Sequence, residues 1–287
     1  MNTDDPRGVF APGLFAGRTA VVTGGGRGIG EATALGFARL GADVVIASRT
    51  REDLDQVAEA IEALGVGCLP VAADIRDVKA VETLRDAALE RFGAVDYLIN
   101  NAGGQFMAHP LKISDNGWRA VIDLNLNGTW NVTSRFLRPM LERGSGSIVN
   151  VVHVYSFERG APMFAHSGAA RAGVVNLTRS LAPYLEQRNV TINALAPGVT
   201  VSPRAAANYG YTADEWRAQG TRTRYADPED MAAIMLFLCS PAARMINGAV
   251  LVADAASTQH NWPREVMEDL FDQLEAEFGD VTGGRDP

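Results

Sequence analysis

The chain is short of the features that mark several protein classes. Only two of its 287 residues are cysteine, Cys68 and Cys239, set far apart in unrelated segments. A disulfide framework needs more, so two buried thiols in a reducing cytoplasm are expected. Basic residues are outnumbered, 26 Lys and Arg against 34 Asp and Glu, for a net charge of −8. Nucleic acid or an anionic membrane wants a basic face, so neither is expected as the main partner. A phosphorylated small molecule needs only a local Arg cluster and stays open. The opening MNTDDPRG has no apolar signal region, and no run approaches a membrane span. The final RDP is not a Ser-Lys-Leu peroxisomal address. Neither His153 nor His166 has a Cys or carboxylate at ligand spacing, so no metal is expected.

What the chain has is rhythm. Hydrophobic residues make up 47% of it, enough for a large core. Short β-rich runs (19–23, 43–47, 67–72, 95–99, 148–152, 190–196 and 249–253) alternate with helical patterns (31–40, 51–64, 77–92, 118–141, 167–185 and 228–239). That alternation predicts an α/β fold, a doubly wound, seven-stranded parallel sheet with helices on both faces. No linker divides it, so residues 1–287 read as one dinucleotide-binding domain. Residues 1–17 are an irregular lead-in, and 202–227 a polar, aromatic insert placed to cover a substrate. The extension 262–287 contains an amphipathic helix over 265–278, whose acidic polar face suits docking on protein rather than on a membrane.

The loop after the first strand, Gly24-Gly-Gly-Arg27-Gly28-Ile29-Gly30, opens a helix. Its glycines let backbone N–H groups approach a pyrophosphate, whose charge the helix N-terminus favours. The second strand ends at Ser48-Arg49-Thr50-Arg51 rather than at an acidic residue for ribose hydroxyls. Arg49, with Arg27 beside it, suits the 2′-phosphate of NADP(H), because guanidinium gives permanent, bidentate recognition. Arg51 reads as the first turn of a solvated helix.

The spacing Thr23-Gly24-x-x-x-Gly28-x-Gly30 resembles the short-chain dehydrogenase/reductase family. That resemblance implies adenine contacts from Asp74 and Ile75, a post-strand motif at Asn100-Asn101-Ala102-Gly103, and a nicotinamide site at Pro197-Gly198-Val199-Thr200. The family's Ser and Tyr-x-x-x-Lys are altered here. The Ser region reads Val152-His153-Val154, and the triplet reads Ser167-Gly-Ala-Ala-Arg171. NNAGGQF (100–106), HSGAARAGV (166–174) and HNWP (260–263) are similar to the trans-2-enoyl-CoA reductases of peroxisomes and their 2,4-dienoyl-CoA reductase cousins. The resemblance therefore implies NADPH-dependent reduction of the conjugated C=C of an acyl-CoA thioester. It implies site roles for Asn125, Tyr155, Ser167 and Arg171, with Arg171 also on the nicotinamide ribose. His166 reads as a pocket-lining or structural residue. The peroxisomal enoyl reductases carry a Tyr just after AGV, where this chain has Val175. The family also implies a homo-oligomer, a tetramer or dimer. Two alternatives stay open: a carbonyl reductase or alcohol dehydrogenase using Tyr155 as acid, and an NADP(H)-binding protein without turnover.

Overall fold

Runs of β-branched residues form strands that are buried on both faces, which is what a parallel sheet requires. The computed structural model describes residues 9–156, 159–207, 211–219, 225–256 and 258. Its seven strands are β1 (Thr19–Thr23), β2 (Asp43–Ser48), β3 (Cys68–Ala72), β4 (Tyr97–Asn100), β5 (Gly146–Val151), β6 (Val190–Pro197) and β7 (Val250–Ala253). All neighbours pair in parallel, in the order β3-β2-β1-β4-β5-β6-β7. The order reverses between β1 and β4, and a crevice opens beyond the carboxyl ends of strands at such a switch point. The doubly wound sheet expected from the sequence is the one that forms.

Helices α1 (Gly28–Arg39), α2 (Arg51–Glu62) and α3 (Val78–Phe92) follow the first three strands. After β4 come α4 (Asp115–Ile122), α5 (Gly128–Arg143) and α6 (Ala165–Glu186); α7 (Pro203–Ala207), α8 (Ala213–Gln219) and α9 (Pro228–Cys239) precede β7. Side chains alternate across the pleat. Val22, Ile46, Ile99, Val149 and Leu195 pack with Phe37, Leu54 and Met235 of α1, α2 and α9. Val21, Val45, Leu98, Ile148 and Ile192 pack with Leu84, Phe136 and Leu185 of α3, α5 and α6. The lead-in is anchored at Phe15, which is fully buried with its ring 5.0 Å from those of Phe37 and Tyr97.

A polar bolt crosses the sheet beneath the crevice. Asn100 Nδ2 donates to Asn150 Oδ1 (2.8 Å) and Thr133 Oγ1 (2.9 Å), and Asn150 Nδ2 donates to Thr178 Oγ1 (2.9 Å). It ties β4 and β5 to α5 and α6.

The helix expected over 118–141 is interrupted. Between α4 and α5 lies a π-helical turn, Asp123–Asn127. The Asn125 side chain donates to the carbonyl of Val121 at 2.8 Å, competing for the acceptor that an α-helix offers to its own backbone N–H. Such turns concentrate at functional sites.

Residues through Asp254 form one compact unit, and a second begins at Ala255. The helix expected over 265–278, together with HNWP, lies outside the described residues. Among the described residues, no helix is long and apolar enough to cross a membrane, and no cluster of His, Cys, Asp or Glu could hold a metal. Cys68 and Cys239 are both buried, and loss of solvation pushes each thiol up to about 12, so neither is a reactive thiolate.

Candidate active site

The crevice is built on Thr23 at the end of β1. Its hydroxyl donates to Ile99 O (3.2 Å) and accepts from the backbone N–H groups of Asn101 and Ala102 (3.1 Å each). Asn101 Nδ2 then donates to Thr23 O at 3.0 Å, so the loops after β1 and β4 are held side by side. Gly24 has φ +66°, and any Cβ at Gly30 would collide with the Gly24 carbonyl. That bare cradle faces a cavity of about 300 Å³ at the N-terminus of α1.

Most residues expected to hold a cofactor line this cavity. Gly24, Arg27, Ile29, Ser48, Arg49, Asp74, Ile75, Asn101, Ala102, Gly103 and Thr200 are in its wall. Gly28 and Gly30 shape the turn behind it, within the first turn of α1. Pro197 ends β6, and Gly198 follows with its N–H on Ala253 O (2.8 Å); these two and Val199 stand outside the wall that Thr200 joins. The pattern of the sequence did not single out Asp53 and Leu124, which also line it.

The expected convergence of guanidiniums is narrower than the sequence suggests. Arg27 pairs with Asp53 (3.5 Å), a partner 26 residues away, and Arg51 pairs with Asp55 (2.7 Å) one turn along α2. Arg49 has no ion pair among the described residues. Asp74 is clasped by Arg76 at 2.6 Å. That hydrogen bond, with the field of Arg49 adding to it, holds its carboxyl below the usual range. The residues present fit a dinucleotide: a glycine cradle for the pyrophosphate and one uncommitted cation at the end of β2.

Deeper in, α6 delivers Arg171. Its side chain is buried, Nη1 donates to Val151 O at 2.7 Å, and Nη2 fills the space that a Cβ on Gly103 would need. No carboxylate pairs with it among the described residues. Loss of solvation brings its guanidinium down to about 10, still charged near neutrality. Four residues earlier, Ser167 is equally buried and its Oγ donates to Gln105 Oε1 at 2.6 Å.

Asn125 faces the same loop but its amide is spent. Nδ2 donates to Gly104 O and Val121 O (2.8 Å each), and Oδ1 accepts from Gly104 N–H (3.2 Å). The expected role of donor to a substrate oxygen therefore has no free proton here; the geometry is that of a clamp on the loop after β4. Tyr155 stands apart from this cluster, lining a second cavity of about 670 Å³ with Phe164, Arg159 and Gly168. Val175 is a core residue, 3% exposed among Val152, Val154 and Ala194, and it is in the wall of neither of these two cavities.

Two histidines complete the region. His166 is fully buried, edge-on to Phe106 at 4.4 Å, and among the described residues neither ring nitrogen has a hydrogen-bond partner. This agrees with a structural place for it. His153, passed over in the sequence except as a metal ligand, stands two residues beyond β5 where the family's Ser is expected. Its ring lies 4.9 Å from Tyr155 and 5.8 Å from Phe164, and Nδ1 accepts from Tyr155 N–H at 3.3 Å.

Comparison with known proteins fixes the class. A family model described as enoyl-(acyl carrier protein) reductase matches residues 24–258. Peroxisomal 2,4-dienoyl-CoA reductase of Rattus norvegicus is 35% identical over 259 residues, covering 87% of this chain and 86% of the relative. The chain is a short-chain dehydrogenase/reductase. Other members of the family are as similar. Cis-4-hydroxycyclohexanecarboxylate dehydrogenase of Sinomonas cyclohexanicum is 40% identical over 248 residues, 85% of this chain and 98% of that one. The solved structure of a citronellol catabolism dehydrogenase from Pseudomonas aeruginosa superposes with a TM-score of 0.77 at 37% identity, covering 88% of this chain and 99% of that chain. The oxidoreductase class is thereby established, and its members use nicotinamide cofactors.

Proposed function

We propose that this family member is an NADPH-dependent reductase of a conjugated C=C in an acyl-CoA thioester. The observation that carries the reading is the Ser167–Arg171 pair in place of the family's Tyr and Lys. A ketone reductase needs a hydroxyl that surrenders a proton and a lysine that relays it. Arg171 keeps its proton, and Ser167 is committed to Gln105. A buried guanidinium with no carboxylate partner instead supplies a fixed positive field, suited to the negative charge that develops as an enolate on the thioester oxygen.

The cofactor, when bound, supplies hydride to the β-carbon. The chain's own residues bind and orient. Arg49 and Ser48 would meet the adenosine 2′-phosphate, Asp74 and Ile75 the adenine edge, and the Gly24–Gly30 cradle the pyrophosphate. Arg171 would hold the nicotinamide ribose, and the segment from Pro197 to Thr200 would back the ring. Asn125 keeps the loop 101–105 in register for both ligands. Tyr155, on the wall of the larger cavity, would return a proton to the α-carbon.

The carbonyl or alcohol reading is the second one, favoured by the similarity to the cyclohexanecarboxylate and citronellol dehydrogenases. One experiment separates them. NADPH consumption is followed with trans-2-enoyl-CoA and 2,4-dienoyl-CoA thioesters, beside a panel of ketones and aldehydes. Turnover of thioesters alone supports the first reading, and turnover of carbonyls alone replaces it with the second. NADPH binding without any turnover leaves a cofactor-binding protein. The active form is a dimer or tetramer in the cytoplasm, paired through α5 and α6, where Trp130 and Tyr184 are exposed. Sedimentation giving only monomers would overturn that assembly.

A further inference from the structure

We infer that His153 is a catalytic residue: its Nε2–H is the donor aimed at the substrate's carbonyl oxygen, in the place the family gives to a serine hydroxyl. The inference rests on reading the crevice as a reductase site.

Four observations place it there. His153 follows the carboxyl end of β5, the strand whose Val151 carbonyl receives the Arg171 guanidinium. Its ring adjoins Tyr155 and Phe164, both in the wall of the larger cavity. On the other side it lies within the field of Arg171, which is pressed against Gly103 in the wall of the cofactor cavity. His153 itself is in neither wall; its ring stands between residues of the larger cavity and the guanidinium beside the cofactor cavity. Lastly, Nδ1 accepts the Tyr155 backbone N–H, so the ring's single proton is on Nε2. Among the described residues Nε2 has no partner, and it is not a sealed buried atom as both nitrogens of His166 are.

The electrostatics agree with that geometry. Burial, then the charge of Arg171, lowers the imidazole to about 4, so it is neutral at working pH. A neutral imidazole beside a fixed cation donates a hydrogen bond and keeps its proton, and no proton is transferred in this role. Negative charge growing on the oxygen strengthens the bond, which is how such a donor lowers a barrier. The Asn125 amide has no proton left for the task, and Ser167 has given its own to Gln105.

Two substitutions divide the ring's functions. His153→Asn keeps an acceptor for the Tyr155 N–H and loses the distal donor; His153→Gln keeps a distal N–H and loses the near acceptor. With whichever substrate class the wild type turns over, H153N is expected to lower kcat roughly 10²–10³-fold. H153Q should stay within about tenfold of wild type, and both should bind NADPH as the wild type does. If the ring only caps the turn, H153Q is the worse variant, and that ranking overturns the inference. Ring ¹⁵N spectra read the tautomer without any substrate: an Nε2–H form is expected, and a proton on Nδ1 or a doubly protonated ring near neutrality overturns it. Silence of the wild type towards every thioester and carbonyl would sink the reductase reading. The ring spectra would still report the tautomer of His153, so failure of the donor geometry is told apart from failure of the reductase reading.

Discussion

At the level of single residues, two cations of the site, Arg49 and Arg171, have no ion-pair partner among the described residues. Arg171 is buried and His153 half-buried near the end of β5, and burial together with the charge of Arg171 keeps the imidazole neutral. That arrangement has a cost that shows as acid sensitivity. His153 titrates near 4 in the folded chain against about 6.5 when unfolded. Between those values the unfolded chain takes up a proton that the folded chain refuses, so stability falls as pH falls. The contribution is intact above about pH 6.5 and is gone by about pH 4, with a ceiling of about 3 kcal/mol. His166, held below its ordinary value by loss of solvation, acts in the same direction. Urea unfolding of wild type and H153Q across this range should give a shallower decline for the variant. Parallel curves would mean that the ring protonates without hindrance in the fold.

The same residues show what a sequence can and cannot disclose. Arg49 and the glycine loop were legible because they sit at fixed offsets from a strand end. The pairing of Arg27 with Asp53 was not, since it depends on how α2 leans over the loop. His153 carried a signal, its place in the Ser region, but the usual questions asked of a histidine concern metals. Asn125 is singled out by its motif, yet its bonds to Gly104 and Val121 are visible only in the packed loop.

Among the elements, β1 and α9 run over the residues that periodicity assigns them, 19–23 and 228–239. Strong local pattern and tertiary environment agree in both. The helix over 118–141 reads as continuous in the sequence and is broken in the structure, because its π turn comes from a side chain that also reaches another loop, which no periodic pattern contains. What holds these elements around the crevice is the Asn100–Asn150–Thr178 bolt. Thr178→Val tests it with almost no change of shape. The variant leaves an Asn150 N–H buried without its acceptor, which costs about 1–3 kcal/mol. A lower urea midpoint with unchanged kcat is expected, because Thr178 touches neither cavity. A midpoint equal to that of the wild type would mean that water or another acceptor replaces the hydroxyl.

Over the whole molecule, the acidic balance and the cofactor crevice pull in opposite directions. A chain of net charge −8 repels a polyanion at a distance, so its preference for a phosphorylated cofactor must come from a few close cations. Arg27 and Arg51 already have carboxylates, which concentrates that preference on Arg49. The consequence reaches the stability of the entire fold, since a ligand bound only by the native state stabilises it by mass action. At about 100 times its Kd, NADPH should add about 2.7 kcal/mol, or about 5–10 °C in Tm for a domain of this size. NADH at the same concentration should add less. In Arg49→Ala the NADPH increment should shrink to that of NADH, because a charged hydrogen-bonded contact is worth about 1.5–3 kcal/mol, or about 10- to 100-fold in affinity. The NADH increment itself should hardly move. Equal losses for both cofactors would assign Arg49 to the shape of the loop and leave the choice of cofactor to Arg27, released from Asp53 when the phosphate arrives.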